Sequence, residues 1–353
     1  MTPTSSAGPI RVGLLGYGLA GSAFHAPLIA ATPGMDLAAV VTGNAERAQQ
    51  ARDRYPGALI VPSAERLWER ADDLDLVVLA TPNRTHVPLT LAAFDAGLGV
   101  VVDKPLTPTV DDGRHLIAEA ERRNLLLTVF HNRRWDGDFL TLQRLLREGA
   151  LGDVQRFESR FEKWRPVPKP GWRQQAAPEE AGGLLFDLGA HLIDQALVLF
   201  GPVRDVYAEL DARRGDVDDD VFVALTHTSG VRSHLWMSAV AADLGPRMRA
   251  LGSRAAYTKY DLDVQEDRLR AGATPDEPGF SDEPEEQWGY IRSGDEAESV
   301  ATEPGDYLAF YAGVRDALRT GSPLPVDPED AVRGLAVIEA ARRSSETRSV
   351  VTL

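Results

Sequence analysis

From Ile10 to about Phe130, short apolar runs alternate with amphipathic stretches. That is the pattern of strands buried on both faces and joined by crossover helices. The spacing predicts strands at 10–15, 37–42, 58–61, 74–80, 100–103 and 125–130, with helices such as 85–96 and 110–123 between them. Six such strands make an α/β, doubly wound parallel sheet. After His131 the texture changes. A helix at 138–148 leads to an alternating strand at 154–164, where Phe157, Ser159 and Phe161 share one face. Further strands at 205–210, 221–228, 231–240 and 247–251 follow through short turns such as Ser229-Gly230, so the second sheet is expected to be open and mainly antiparallel. A helix at 187–200 is expected to cover one face of it, and a second subunit the other, since a bare sheet would expose too much apolar area. The acid-rich stretch 264–303 reads as a long solvated excursion that could reach over a site. Helices at 306–320 and 327–344 precede a short strand-like tail. The chain is thus expected to divide into a domain at 1–130 and a second at 131–353.

Composition narrows the chemistry. The chain has 353 residues, with 38 Lys+Arg against 53 Asp+Glu and a formal net charge of −15. Such a surface repels phosphate backbones and anionic membranes, so neither nucleic acid nor membrane is an expected partner. The chain has no cysteine, which excludes disulfides, thiolate metal sites and cysteine nucleophiles, and suits a reducing compartment. No apolar run is long enough for a membrane span, and the opening MTPTSSAGP lacks the features of a signal peptide. The expectation is a soluble, cytoplasmic protein.

The first chemical signal is Gly16-Tyr17-Gly18-Leu19-Ala20-Gly21, placed directly after a strand and opening a helix. In that context the first Gly permits the turn and the second lets backbone approach a pyrophosphate. The third allows close helix–strand contact. The second strand would end in Asp or Glu if the ribose of NAD were gripped through its 2′-hydroxyl. It runs instead into Thr42, Gly43 and Asn44, with Arg47 a turn further on. With no carboxylate to repel a 2′-phosphate and donors nearby, NADP is favoured and NAD is the alternative. Asn44 also reads as a simple N-cap of the helix beginning at Ala45. The fourth strand ends in Thr81-Pro82-Asn83, followed by His86, where an amide could orient a nicotinamide; the same residues also suit a plain turn.

The fifth strand ends in Asp103-Lys104-Pro105. Only four lysines occur in the chain, and Lys104 is the only one before residue 163. A primary amine can be retuned by its surroundings and can donate to a reacting oxygen, whereas guanidinium holds its proton; Lys104 reads equally as a lysine snorkelling from an edge. In the second half, Asp187 and His191 stand four apart on a predicted helix, with Asp194 one turn beyond. A carboxylate there can fix the imidazole tautomer and raise its basicity, making His191 a candidate general base. Asp187 could equally be that helix's N-cap. No His cluster at ligand spacing accompanies them, so no metal is expected. His25, His115, His227 and His234 read as structural. Arg133 and Trp135, and again Trp172 and Arg173, set a cation beside an indole, a combination that suits a polyhydroxylated small molecule or ordinary packing.

Together GYGLAG, TPNRTH, DKP and GGLLFDLGAHLIDQ, in this order, resemble the Gfo/Idh/MocA oxidoreductase family over nearly the whole chain. FHAPLIAATPG at 24–34 and VFHNRRWDGDF at 129–139 further resemble its branch of NADP-dependent scyllo-inositol dehydrogenases. The resemblance implies a Rossmann domain, a second α/β domain on an open sheet, and homodimers or homotetramers formed through that sheet. It implies hydride exchange between a secondary alcohol carbon of a cyclic polyol or sugar and the nicotinamide C4. By position, Lys104 matches the family lysine at the reacting hydroxyl, and Asp187 and His191 its acid/base pair. Many members carry Glu before the lysine where this chain has Asp103. A non-catalytic dinucleotide-binding regulator and a glycoside hydrolase that recycles bound NAD are the alternatives to a dehydrogenase.

Overall fold

Strand β1 (Ile10–Leu15) opens a sheet that continues with β2 (Met35–Val41), β3 (Leu59–Val61), β4 (Leu76–Leu79), β5 (Gly99–Asp103) and β6 (Leu127–Phe130). Their order is β3-β2-β1-β4-β5-β6, and every neighbouring pair is parallel. The chain reverses direction across the sheet between β1 and β4, where strand C-termini open a crevice for ligands in this topology. All four residues of β4 are buried, which is why the run is continuously apolar rather than alternating. Local chemistry sets the helix ends. Thr109 accepts the Asp112 N–H at the start of helix Val110–Arg123, and Asn124 ends it in the left-handed conformation.

The computed structural model describes residues 8–167 and 180–353. Contacts divide it into two compact units. The first holds the described residues up to Asn132 together with Val264–Phe280 and Asp306–Val332. The second holds the described residues from Arg133 to Asp263, with Ser281–Gly305 and Arg333–Leu353. Within the first unit, helix Leu308–Thr320 packs on helix Ala26–Ala31, and helix Gln265–Arg270 packs on the turn Ala20–His25. Thr128 of β6 donates to the Val326 carbonyl at 2.6 Å.

The second unit is built on nine strands. They are β7 (Val154–Glu162), β8 (Val203–Asp211), β9 (Asp220–His227), β10 (Arg232–Ser238), β11 (Met248–Gly252), β12 (Ala256–Lys259), β13 (Gly289–Ser293), β14 (Glu296–Val300) and β15 (Val351–Thr352). Their order is β14-β13-β12-β11-β7-β10-β9-β8-β15, antiparallel throughout except for β7 beside β10. On β7 the predicted trio Phe157, Ser159 and Phe161 is buried. Helix Ala190–Phe200 packs on β7 and β10. On the alternate positions of β9 and β10, Phe222, His234 and Trp236 form an aromatic group, with the Arg160 guanidinium 4.0 Å from the Trp236 ring centre.

The acid-rich stretch differs from its reading as a solvated excursion: it contains helix Gln265–Arg270 and the β13–β14 hairpin. The hairpin turns at Gly294, whose φ is +60°, and β14 is exposed at every position but Val300. An edge strand with one buried residue carries the charge of a loop. Among the described residues no helix is long and apolar enough to cross a membrane.

Candidate active site

The glycine-rich turn leaves β1 with a division of labour among its three glycines. Gly16 has φ +97°, and a Cβ there would lie 2.4 Å from the Ala80 carbonyl oxygen. At Gly21 a Cβ would lie 2.0 Å from the Gly16 carbonyl oxygen. Both are required by the chain's own packing. Gly18 is different: its nearest atom would be Arg47 Nη1 at 3.9 Å, which leaves backbone open to a ligand. Ser22 closes the loop, its N–H and hydroxyl both reaching the Gly18 carbonyl at 2.9 and 2.8 Å. Tyr17 is buried and Leu19 exposed, and Ala20 begins a π-turn that runs to His25. The geometry fits a dinucleotide pyrophosphate at Gly18 and the helix N-terminus. Gly18→Ala is therefore expected to leave thermal stability unchanged and to weaken dinucleotide binding by about tenfold or more. Gly21→Ala is expected to lower the melting temperature outright; calorimetry and fluorescence titration of the two variants separate the effects.

At the end of β2, Asn44 caps helix Ala45–Arg54 by accepting the Arg47 N–H at 2.9 Å, as the plainer reading had it. Thr42 Oγ1 accepts the Asn44 N–H at 3.3 Å. The Asn44 carbonyl oxygen is thus committed to the backbone, while the Arg47 guanidinium lies beside Gly18.

Beyond β4, Thr81 and Thr85 join hydroxyls at 2.7 Å across Pro82, and Asn83 is buried. His86 is fully buried and faces two carbonyl oxygens, Pro105 at 2.9 Å from Nδ1 and Thr81 at 3.1 Å from Nε2. Burial lowers its pKa, so the ring is neutral and donates to one of these carbonyls, and it is packed between two loops rather than being an exposed ligand group. At the end of β5, Asp103 Oδ1 accepts the Lys104 N–H at 2.9 Å, and the Lys104 side chain is half-buried.

In the second unit the helix bearing Asp187 and His191 begins earlier than predicted. A π-turn spans Leu185–Gly189 and passes into α-helix at Ala190. Asp187 is not its N-cap. Asp218, far along the chain, takes that position, its Oδ2 accepting the Leu185 N–H at 2.7 Å and its carbonyl the Leu184 N–H at 3.0 Å. Burial raises the Asp218 pKa. Asp187 is half-buried and His191 buried, four residues apart across the junction from π to α.

Asp194 belongs to a different contact. Arg134 grips it with two nitrogens, at 2.9 and 2.6 Å. Gln195, one turn beyond His191, donates to the Arg133 carbonyl and accepts from Arg247, both at 2.9 Å. Arg247 in turn donates to Ser159 on β7 at 2.6 Å and lies 3.4 Å from Asp138. The helix carrying His191 is thereby tied to the sheet by buried polar contacts. Arg133 is buried, its guanidinium 3.4 Å from Asp136 and 5.2 Å from the Phe161 ring centre, while Trp135 is half-buried. Trp172 and Arg173 lie outside the described residues. Among the described residues no group of three or more His, Asp or Glu side chains could hold a metal.

Residues 10–131 match a profile described as an oxidoreductase family with an NAD-binding Rossmann fold. Residues 143–353 match the C-terminal α/β domain of the same oxidoreductase family. The chain belongs to the Gfo/Idh/MocA family. Among Gfo/Idh/MocA relatives it is 41% identical to the uncharacterized oxidoreductase YdgJ of Escherichia coli, over 98% of this chain and 99% of that one. It is 34% identical to the scyllo-inositol 2-dehydrogenase (NADP(+)) IolW of Bacillus subtilis, over 98% and 96%. Its structure matches that of YvaA from Bacillus subtilis with a TM-score of 0.91 and 33% identity, covering 98% and 99% of the two chains.

Several of these residues carry no local signal. Asp218 sits in an Asp-rich loop that reads as solvated, and Arg247 stands at the start of an ordinary strand pattern. His25, read as structural, lies 3.9 Å from Asp103. Its sequence signals are its position four residues past Gly21 and its place in the segment FHAPLIAATPG.

Proposed function

We propose that the chain is an NADP-dependent dehydrogenase that oxidises a secondary alcohol carbon of a cyclic polyol or sugar, with an inositol the nearest chemical type. The substrate class rests on the likeness to the scyllo-inositol dehydrogenase over nearly the whole of both chains. The cofactor preference rests on one observation, the Arg47 guanidinium beside the open Gly18 position, past a strand β2 that ends without a carboxylate. A bound nicotinamide supplies the hydride acceptor. The protein's part is acid–base and electrostatic. His191 takes the hydroxyl proton as the carbinol C–H bond breaks, Asp187 holds the imidazole for that task, and the Lys104 ammonium stabilises the charge developing on oxygen. Asn83 and the loop held by His86 orient the dinucleotide, and Arg133, Trp135, Trp172 and Arg173 bind the polyol. The half-exposed Phe222, His234 and Trp236 support self-association through the sheet into dimers or tetramers. The absence of cysteine suits a cytoplasmic setting.

Absorbance at the reduced-nicotinamide band, with NADP and NAD across inositols, pentoses, hexoses and lactones, tests the reading. Growth with one sugar class is expected. Silence across the panel despite tight dinucleotide binding contradicts it and favours the regulator or the recycling hydrolase. In the same assay, Arg47→Ala is expected to weaken NADP about tenfold or more and to leave NAD nearly untouched, because a guanidinium–phosphate pair is lost.

A further inference from the structure

Behind Lys104 lies a pair of buried polar side chains that the proposed mechanism does not use. His25 sits on the π-turn that follows the glycine-rich loop, and its ring is wholly buried. Phe130 of β6 packs against it, the ring centres 4.4 Å apart. Nδ1 lies 2.6 Å from the hydroxyl of Tyr311, a fully buried residue of helix Leu308–Thr320. Nε2 lies 3.9 Å from Asp103 Oδ1 and has no hydrogen-bond partner. That same oxygen accepts the Lys104 N–H.

The tautomer follows from these contacts. Burial raises the Tyr311 pKa well above that of an ordinary phenol and pulls His25 down to about 4, so near neutral pH the phenol keeps its proton and the imidazole is uncharged. A neutral ring has one N–H and one lone pair. With N–H on Nδ1, the Nε2 lone pair would face a carboxylate in a buried site. With N–H on Nε2, the phenol donates to Nδ1 and the ring presents its proton to Asp103. Only the second arrangement sets every dipole favourably. The remaining gap closes with a movement of about 1 Å. π-turns concentrate at functional positions, and this one joins the dinucleotide loop to His25.

We infer that Tyr311 and His25 form a donor chain, Tyr311 O–H to His25 Nδ1 and His25 Nε2–H to Asp103, that positions Asp103 and through it the backbone of Lys104. For its kinetic consequence the inference rests on the dehydrogenase reading above. Tyr311 and His25 are positioning residues. The chain joins the glycine-rich loop to the end of β5, so occupancy of one is felt at the other.

The test uses the full-length protein labelled with [15N]histidine, followed by N–H correlation NMR with and without NADP, beside steady-state kinetics. Expected are an Nε2–H tautomer for His25 and a downfield shift of that proton when NADP binds. Tyr311→Phe removes one oxygen and keeps the ring packing, so it is the primary variant; His25→Gln is the second. Tyr311→Phe should lose the tautomer preference. It should also lower kcat about tenfold, with KM for NADP within about twofold and a larger deuterium isotope effect on kcat. A merely structural role would change the melting temperature and leave the isotope effect alone. An Nδ1–H tautomer, or a stable Tyr311→Phe protein with wild-type kcat and isotope effect, overturns the inference. If no alcohol is turned over, the dehydrogenase reading fails, and the tautomer and its response to NADP still decide the donor chain.

Discussion

Lys104→Ala is expected to lower kcat by about 10²-fold or more while dinucleotide affinity stays within about twofold. The side chain stands at the C-terminal end of β5, on the edge of the sheet where ligands bind in this topology, and its backbone is held by Asp103. A donor aimed at charge that develops only in the transition state contributes to rate and little to ground-state binding. Lys104→Arg is expected to restore little, because a planar guanidinium keeps its proton and directs its donors differently from a compact ammonium. Stopped-flow and steady-state rates, with dinucleotide binding measured separately by fluorescence, check both variants. Turnover of Lys104→Ala within a few-fold of wild type would remove the lysine from the mechanism.

The second large effect is expected at His191. His191→Ala should lower kcat by about 10²- to 10⁴-fold, the range that loss of a positioned general base produces. Added imidazole should restore part of the rate, since a small base can occupy the space vacated by the ring. Asp187→Asn keeps the side chain's size and removes its charge; if that charge orients the imidazole as proposed, a smaller loss is expected there. The fold should tolerate both changes, because the helix is anchored elsewhere, by Asp218 at its start and by Gln195 and Arg247 one turn beyond His191. Circular dichroism and kinetics in parallel separate a lost base from a lost helix. Absence of imidazole rescue in a well-folded His191→Ala protein would count against the base assignment.

Local pattern carried much of this structure. The six parallel strands were legible because two-sided burial writes continuous apolar runs into the chain, and the alternation at Phe157, Ser159 and Phe161 announced a strand with one buried face. Asn44 signalled a helix start through a side chain that can accept a backbone N–H. What escaped has a common physical origin. Periodicity reports the surroundings of neighbours, and a π-turn adds one residue to a helix without altering its composition. The true cap of the helix holding Asp187 comes from Asp218, and the partner of His25 comes from Tyr311, 286 positions away. Neither pairing leaves a trace in any short window. The β13–β14 hairpin hid for another reason: with most of β14 exposed, its acidic residues have the composition of a loop. Residue types identified Lys104, Asp187 and His191 as candidates, while the groups that hold the His191 helix in place emerged only from long-range contacts.

The proposed function turns on hydride transfer between an alcohol carbon and a nicotinamide. The most direct measurement is mass spectrometry of the dinucleotide recovered after incubation with inositols and sugars carrying deuterium at the carbinol carbons. Reduced NADP heavier by one deuterium is expected, formed together with the matching ketone and lost in Lys104→Ala. Recovery of unlabelled, oxidised dinucleotide from protein that binds it tightly, with every alcohol unchanged, would contradict it.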